Sequence, residues 1–110
     1  MTQFNVFTAI SDTNRRMILD LLRTEGPLRA GEIVAHLTHI SQPAVSKHLR
    51  VLRQAKLVRN RREGREQWYD LNPKPLQNVA TWLQPYESLW EQRLQTLKQL
   101  AEQSDDSSPA

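Results

Sequence analysis

The sequence predicts a mainly α-helical domain that carries one small β-hairpin, and three observations predict it. Apolar residues recur at spacings of three and four in five segments, each bounded by capping or turn residues. After Lys56 the period changes, giving two strand-compatible runs on either side of Gly64. Between Ser41 and Arg65 stand eight of the chain's fifteen Lys and Arg residues against one acid, Glu63, so basic charge is concentrated where helix gives way to hairpin.

Phe4, Phe7 and Ile10 have helical spacing and predict a first helix, which Ser11 breaks. Asp12 is placed to cap a second, with Met17, Ile18, Leu21 and Leu22 on one face and Arg15, Arg16, Asp20 and Arg23 on the other, ending at Gly26-Pro27. A short third helix runs from Arg29 to Leu37 on the apolar residues Ile33, Val34 and Leu37. Thr38-His39-Ile40 turns the chain, and Ser41 caps a fourth helix whose first turn tolerates Pro43 because no N–H is needed there. Two short helices joined by a tight turn make a helix-turn-helix.

Leu57 to Arg62 and Glu66 to Leu71 then form a two-stranded hairpin about Gly64, closed off by Asn72-Pro73. From Pro75 a long fifth helix carries Leu76, Val79, Leu83, Tyr86, Trp90, Leu94 and Leu97, and Pro85 predicts a kink or a split within it. Residues 1–103 are expected to form one domain and 104–110, SDDSSPA, a disordered polar tail.

Composition excludes several classes of function. Without cysteine there is no disulfide, thiolate metal site or thiol nucleophile, which fits a reducing cytoplasm. Neither an export signal nor a run of eighteen apolar residues is present, so a soluble, cytoplasmic chain without membrane contact is expected. No nucleophile–base pair, carboxylate dyad or glycine-rich phosphate loop is recognisable among residues that include only three glycines, and neither catalysis nor a cofactor is expected.

The concentrated basic charge favours a polyanionic partner. On a wheel of about 100° per residue, Leu49 and Leu52 fall within about 40° of Val45 and fix the buried stripe of the fourth helix. Pro43, Ser46, Lys47, Arg50 and Gln54 face the other way, with Gln42 at the exposed start. The N-terminal half of such a helix meets base edges in double-stranded DNA. Gln42 suits adenine, Lys47 the O6/N7 edge of guanine, Ser46 either base, and Arg50 a phosphate. Arg61, Arg62 and Arg65 flank the hairpin turn, where they can follow a phosphate backbone or enter a minor groove. Trp68 and Tyr69 face opposite ways, and Tyr69 with Leu71 is assigned to the core.

SQPAVSKHLRVLRQAKLV followed by RNRREGREQWYDL resembles the ArsR/SmtB family of bacterial winged helix-turn-helix repressors, and the likeness extends from about Phe7 to Leu100. AISDTNRRMILDLL looks like that family's entry to the second helix, although Thr13 and Asn14 stand where Pro and Thr are usual. The resemblance implies five helices, a two-stranded wing, and a homodimer formed through the first and last helices. It also implies that Ser41, Gln42, Pro43, Ser46, Lys47, Arg50 and the wing arginines bind an imperfect inverted repeat. Phe4, Phe7, Ile10, Leu83, Tyr86, Trp90, Leu94 and Leu97 exceed what a small monomer core can use and are assigned to the dimer interface.

Arg29, Gly31 and Val34 occupy the positions where metal-sensing members carry cysteines, and His36, His39 and His48 all lie outside the terminal helix, so no metal site is expected. WLQPYESLW looks like a branch associated with autoregulated operons. The expected function is therefore a dimeric, sequence-specific DNA-binding repressor of its own operon, its inducer unspecified. The alternative is a winged-helix module that docks an acidic protein.

Overall fold

The computed structural model describes residues 5–106 as five helices and three short strands. Phe4, assigned above to a dimer interface, and residues 107–110 of the expected tail lie outside the described residues. α1 (Val6–Ala9) is a single turn, capped by Asn5, whose Oδ1 accepts the Thr8 N–H at 2.9 Å. Its buried side chains are Val6 and Ala9; Phe7 stays exposed, and Ile10 is half-buried against the core.

α2 (Thr13–Glu25) is capped by Asp12, whose Oδ1 accepts the Arg15 N–H at 3.1 Å, and it stops at Gly26 with φ +80°, a value only glycine adopts without strain. It buries Ile18, Leu19 and Leu22. Met17, expected on that face, is exposed, because the buried arc is turned by one position from the one the sequence suggests.

β1 (Leu28–Arg29) is a strand the sequence reading missed. Two residues cannot show an alternating pattern; their partner reveals them. α3 (Ala30–His36) follows, then the turn, then α4 (Gln42–Gln54), capped by Ser41, whose hydroxyl accepts the Ala44 N–H at 3.2 Å. β2 (Val58–Glu63) and β3 (Glu66–Leu71) form the hairpin, and the antiparallel order β1-β3-β2 makes the wing part of a three-stranded sheet instead of a free two-stranded ribbon. Gly64 at φ +63° begins the two-residue turn and Arg65 completes it, the pattern in which glycine supplies the one positive φ that matches strand twist.

The core is built by Ile18, Leu22, Ile33, Val45, Leu52 and Leu57, all fully buried, and no polar or charged residue is buried among the described residues. Tyr69, Leu71, Leu76 and Val79 pack against it from the sheet and from the start of α5. Core packing of Tyr69 and Leu71 follows the sequence expectation.

α5 (Leu76–Asp106) runs without a break through Pro85 and enters the segment expected to be a tail. Of the kink or split expected at Pro85, the split does not occur. Proline deprives the Thr81 carbonyl of one helical hydrogen bond, but Thr81 and Pro85 are both exposed, so water can satisfy that carbonyl and the helix continues. Two compact units are present, one ending at Val79 and the other beginning at Ala80.

Candidate nucleic-acid interface

α4 presents its polar face because its apolar one is fully used. Val45, Leu49, Val51 and Leu52 are buried, whereas Gln42, Pro43, Ser46, Lys47, Arg50, Arg53 and Gln54 are exposed. Each predicted reading residue therefore reaches solvent on one helix surface. Sequence reasoning passed over Arg53, which lies about 20° from Ser46 on the wheel, two turns further along. Its seven-residue spacing from Ser46 was the available signal.

His48 sits at the edge of the buried stripe and is held there. Its Nδ1 lies 3.4 Å from an Arg15 guanidinium nitrogen and 3.9 Å from Asp12 Oδ1. The Arg15 guanidinium also donates to the carbonyls of Ala9 at 2.7 Å and Thr8 at 3.2 Å, so one arginine ties the end of α1 and the start of α2 to the middle of α4. Partial burial pulls the Asp12 carboxyl pKa up, but the hydrogen bond from the Arg15 N–H and the electrostatic influence of the neighbouring His48 ring and Arg15 guanidinium outweigh it, leaving a net depression.

The wing is positioned from two sides. At the end of α4, Lys56 adopts φ +62°, its N–H donating to the Arg53 carbonyl and the Leu57 N–H to the Leu52 carbonyl, both at 3.0 Å. That is a Schellman closure with lysine where glycine is usual. The Asn72 side chain donates to the Lys56 carbonyl at 2.8 Å, and its backbone N–H to that of Leu57 at 2.8 Å, fastening the far end of the hairpin to the same joint. Arg29 fastens the other side: Nε reaches Glu32 at 2.9 Å, Nη1 reaches Glu66 at 2.8 Å, and the guanidinium lies over the Trp68 ring at 5.7 Å. Glu32 accepts both the side chain and the backbone N–H of Arg29, which depresses its pKa.

Register separates the wing arginines. Arg61 is directly opposite Trp68, which is opposite Arg29, so these three share one sheet face with Arg59 and Glu63; Arg62 is on the other face, opposite Gln67. Arg65 lies in the turn itself. Arg61 is already paired with Glu63 at 3.1 Å, and Arg62 Nε donates to the Gly64 carbonyl at 3.2 Å. The exposed Arg61–Glu63 pair is weak enough for a phosphate to replace the carboxylate. The three arginines form a tip with cations on both faces and at the end.

Of the remaining histidines, His36 Nδ1 lies 2.8 Å from the Glu32 carbonyl and His39 Nε2 lies 2.8 Å from Asn14 Oδ1. Among the described residues no group of three or more His, Cys, Asp or Glu side chains is placed to hold a metal ion.

A helix-turn-helix with an exposed polar second helix, followed by an arginine-tipped hairpin pinned at both ends, defines a winged-helix DNA-binding protein. The chain belongs to the arsR family of bacterial regulatory proteins, whose model matches residues 12–60. It is 46% identical over 79 residues to the transcriptional repressor SdpR of Bacillus subtilis, covering 72% of this chain and 86% of that one. The HTH-type transcriptional regulator Rv2034 of Mycobacterium tuberculosis is 38% identical over 98 residues, covering 89% and 87%. Among solved structures, an ArsR-like transcriptional regulator from Rhodococcus sp. RHA1 is similar at a TM-score of 0.61 and 34% identity, covering 87% of this chain and 89% of that one. The chain is accordingly a DNA-binding transcriptional regulator, not an enzyme.

Proposed function

We propose that the protein is a homodimeric repressor that occupies an inverted-repeat operator upstream of its own gene, in the cytoplasm. The observation that carries this reading is the surface of α4, where Gln42, Ser46, Lys47 and Arg50 are all exposed on a helix whose opposite face is locked into the core. Gln42, Ser46 and Lys47 read base edges; Ser41 and Pro43 set the start of the helix against the groove; Arg50, Arg61, Arg62 and Arg65 contact phosphate. Residues 1–103 act as a DNA-binding and dimerisation domain. Exposed Phe7, Tyr86, Trp90, Leu94 and Leu97, with half-buried Leu83, supply the apolar surface for a second copy, and the likeness to a named repressor supports the direction of regulation. No helix among the described residues is long and apolar enough to cross a membrane.

The test is fluorescence anisotropy with a duplex from the chain's own upstream region against a scrambled duplex at matched salt. Tighter binding to the upstream duplex is expected, and equal affinity for the two overturns the reading. Replacing Ser46 and Lys47 by Ala should remove the difference. Retention of full affinity by that variant points instead to a module that docks an acidic protein.

A further inference from the structure

β1 pairs with β3 only at Tyr69 and Trp68, whereas the pairing of β2 with β3 continues through Arg62 opposite Gln67 to Glu63 opposite Glu66. These last two pairs of the hairpin and its turn therefore project beyond the third strand as a two-stranded ribbon. No side chain from Arg61 to Glu66 is buried, so the core does not hold this tip either. A two-stranded ribbon without a packed face is at best marginally ordered by its own hydrogen bonds. Between the tip and α3 lies an open cleft of about 530 Å³, with Ala30, Gly31 and Ala35 on one wall and Arg65, Glu66 and Gln67 on the other. Among the described residues one side-chain hydrogen bond spans that cleft, donated by Arg29 Nη1 to the Glu66 carboxylate at 2.8 Å. The guanidinium that makes it is itself fixed, with Nε donating to Glu32 at 2.9 Å and its carbon 5.7 Å from the centre of the Trp68 ring. A planar fork can use two edges and a face at once, which a lysine ammonium cannot.

We propose that Arg29 is a positioning residue for DNA binding: by spanning the cleft to Glu66 it holds the wing tip, and with it Arg61, Arg62 and Arg65, at the angle where the tip meets the phosphate backbone. The proposal rests on the reading above that the wing arginines contact phosphate, and Arg29 itself needs no contact with DNA. A tip that is already in place binds without the entropy of ordering it. The size of the effect follows from the strength of the bridge. An exposed ion pair is weak, so its loss frees the tip without unfolding the domain and lowers affinity by about fivefold at most. Register gives a reason for the bridge to end on Glu66. That carboxylate is directly opposite Glu63, and like charges so placed repel. Arg61 covers Glu63 at 3.1 Å until a phosphate takes the guanidinium, and Arg29 keeps Glu66 covered when Arg61 leaves. An acid at the tip thereby serves the binding of a polyanion, and counting charges alone gives the wrong sign for its removal.

Glu66→Ala, Glu66→Gln, the double variant Arg29→Ala with Glu66→Ala, and Arg65→Ala are titrated by anisotropy on the upstream and scrambled duplexes over a range of salt. Glu66→Ala removes a negative charge beside the DNA and is nonetheless expected to weaken binding, by about threefold to fivefold and alike on both duplexes. Glu66→Gln keeps an oxygen for the guanidinium and should recover most of that loss. The double variant has the net charge of the wild type. It should bind as weakly as Glu66→Ala alone, with the slope of log affinity against log salt unchanged, because no phosphate contact has gone. A slope shallower by about 1 in the double variant, with Glu66→Ala binding more tightly than the wild type, shows that Arg29 itself contacts phosphate and overturns the proposal. Wild-type affinity in both Glu66→Ala and the double variant, with Arg65→Ala weakened, also overturns it and leaves the wing reading intact. Arg65→Ala with wild-type affinity overturns both. Urea denaturation checks the fold of each variant. Should the loss of Arg29 unfold the chain, the two Glu66 variants decide from the exposed side of the bridge, and tighter binding by Glu66→Ala overturns the proposal.

Discussion

The amphipathic helices α4 and α5 differ in which of their faces is left over. α4 buries Val45, Leu49, Val51 and Leu52 and leaves a polar, basic face to solvent. α5 has no fully buried residue among those described and leaves Tyr86, Trp90, Leu94, Leu97 and Leu100 exposed. An exposed polar face is satisfied by water, and a partner must compete with water through charge and hydrogen-bond geometry. An exposed apolar face is not satisfied by water and gains from any shape-matched cover. The first arrangement suits a reversible, salt-sensitive contact with DNA, and the second suits a lasting contact with another copy of the chain.

The largest expected effect breaks this contrast at its base. Leu52→Ala, at a fully buried position of α4, should cost about 2–5 kcal/mol of stability in urea denaturation, through lost burial and the cavity left behind. Leu97→Ala, 62% exposed on α5, should have an effect that depends on protein concentration, because the surface it diminishes is completed only on association. Denaturation midpoints measured over a hundredfold range of concentration separate the two. Concentration-independent loss in both would mean that α5 is stabilised within its own chain.

The polar face gives the next effect. Lys47→Ala should cost about 1–3 kcal/mol of operator binding at particular base pairs, read as anisotropy against a panel of single-base operator variants. Arg65→Ala should weaken all duplexes alike and reduce the slope of log affinity against log salt by about 1. Arg61→Ala should reduce it by less, since Arg61 must first give up Glu63.

How much of this was legible in the sequence differs between the same two regions. The limits of α4 could be read because Ser41, Pro43 and an apolar stripe each act within a few residues of one another. Register across the sheet could not, because Arg61 and Arg62 look equivalent in sequence until Trp68 and Gln67 are set opposite them. β1 and the Arg29–Glu66 bridge were hidden for the same reason: both join residues 37 or more positions apart. At Pro85 the split, one of the two expected outcomes, fails because the local penalty is relieved by solvent exposure that the sequence does not show. On α5 the stripe was visible, but the sequence could not show that Leu76 and Val79, at its start, pack against the core.

Asp12 offers a smaller, pH-dependent effect at the joint between α1, α2 and α4. Asp12→Ala should cost about 1 kcal/mol through loss of the helix cap. Because its folded carboxyl has a pKa below the ordinary value of 3.8, it adds stability that is fully present above the unfolded pKa and is lost as pH falls through the folded one. Asp12→Asn keeps a capping oxygen but cannot ionise. Its denaturation midpoint should therefore fall less steeply below about pH 4 than that of the wild type. Parallel curves would show that the carboxylate charge adds nothing beyond the cap.

The smallest effect is a gain, at the joint between α4 and the wing. Lys56 holds φ +62° although its side chain is exposed, so the strain belongs to the backbone and nothing about the lysine side chain relieves it. Lys56→Gly removes the clash of Cβ with the following carbonyl but also frees the unfolded chain. The balance should be a stabilisation of about 0.5–1 kcal/mol, measured by urea denaturation. The backbone hydrogen bonds from Lys56 and Leu57 and the Asn72 clasp survive the substitution, so the wing should keep its place. Loss of operator affinity worth about one phosphate contact would then show that Lys56 touches DNA and that the strain is retained for a cation on the reading side of the joint, whereas a larger loss would show that the wing had moved.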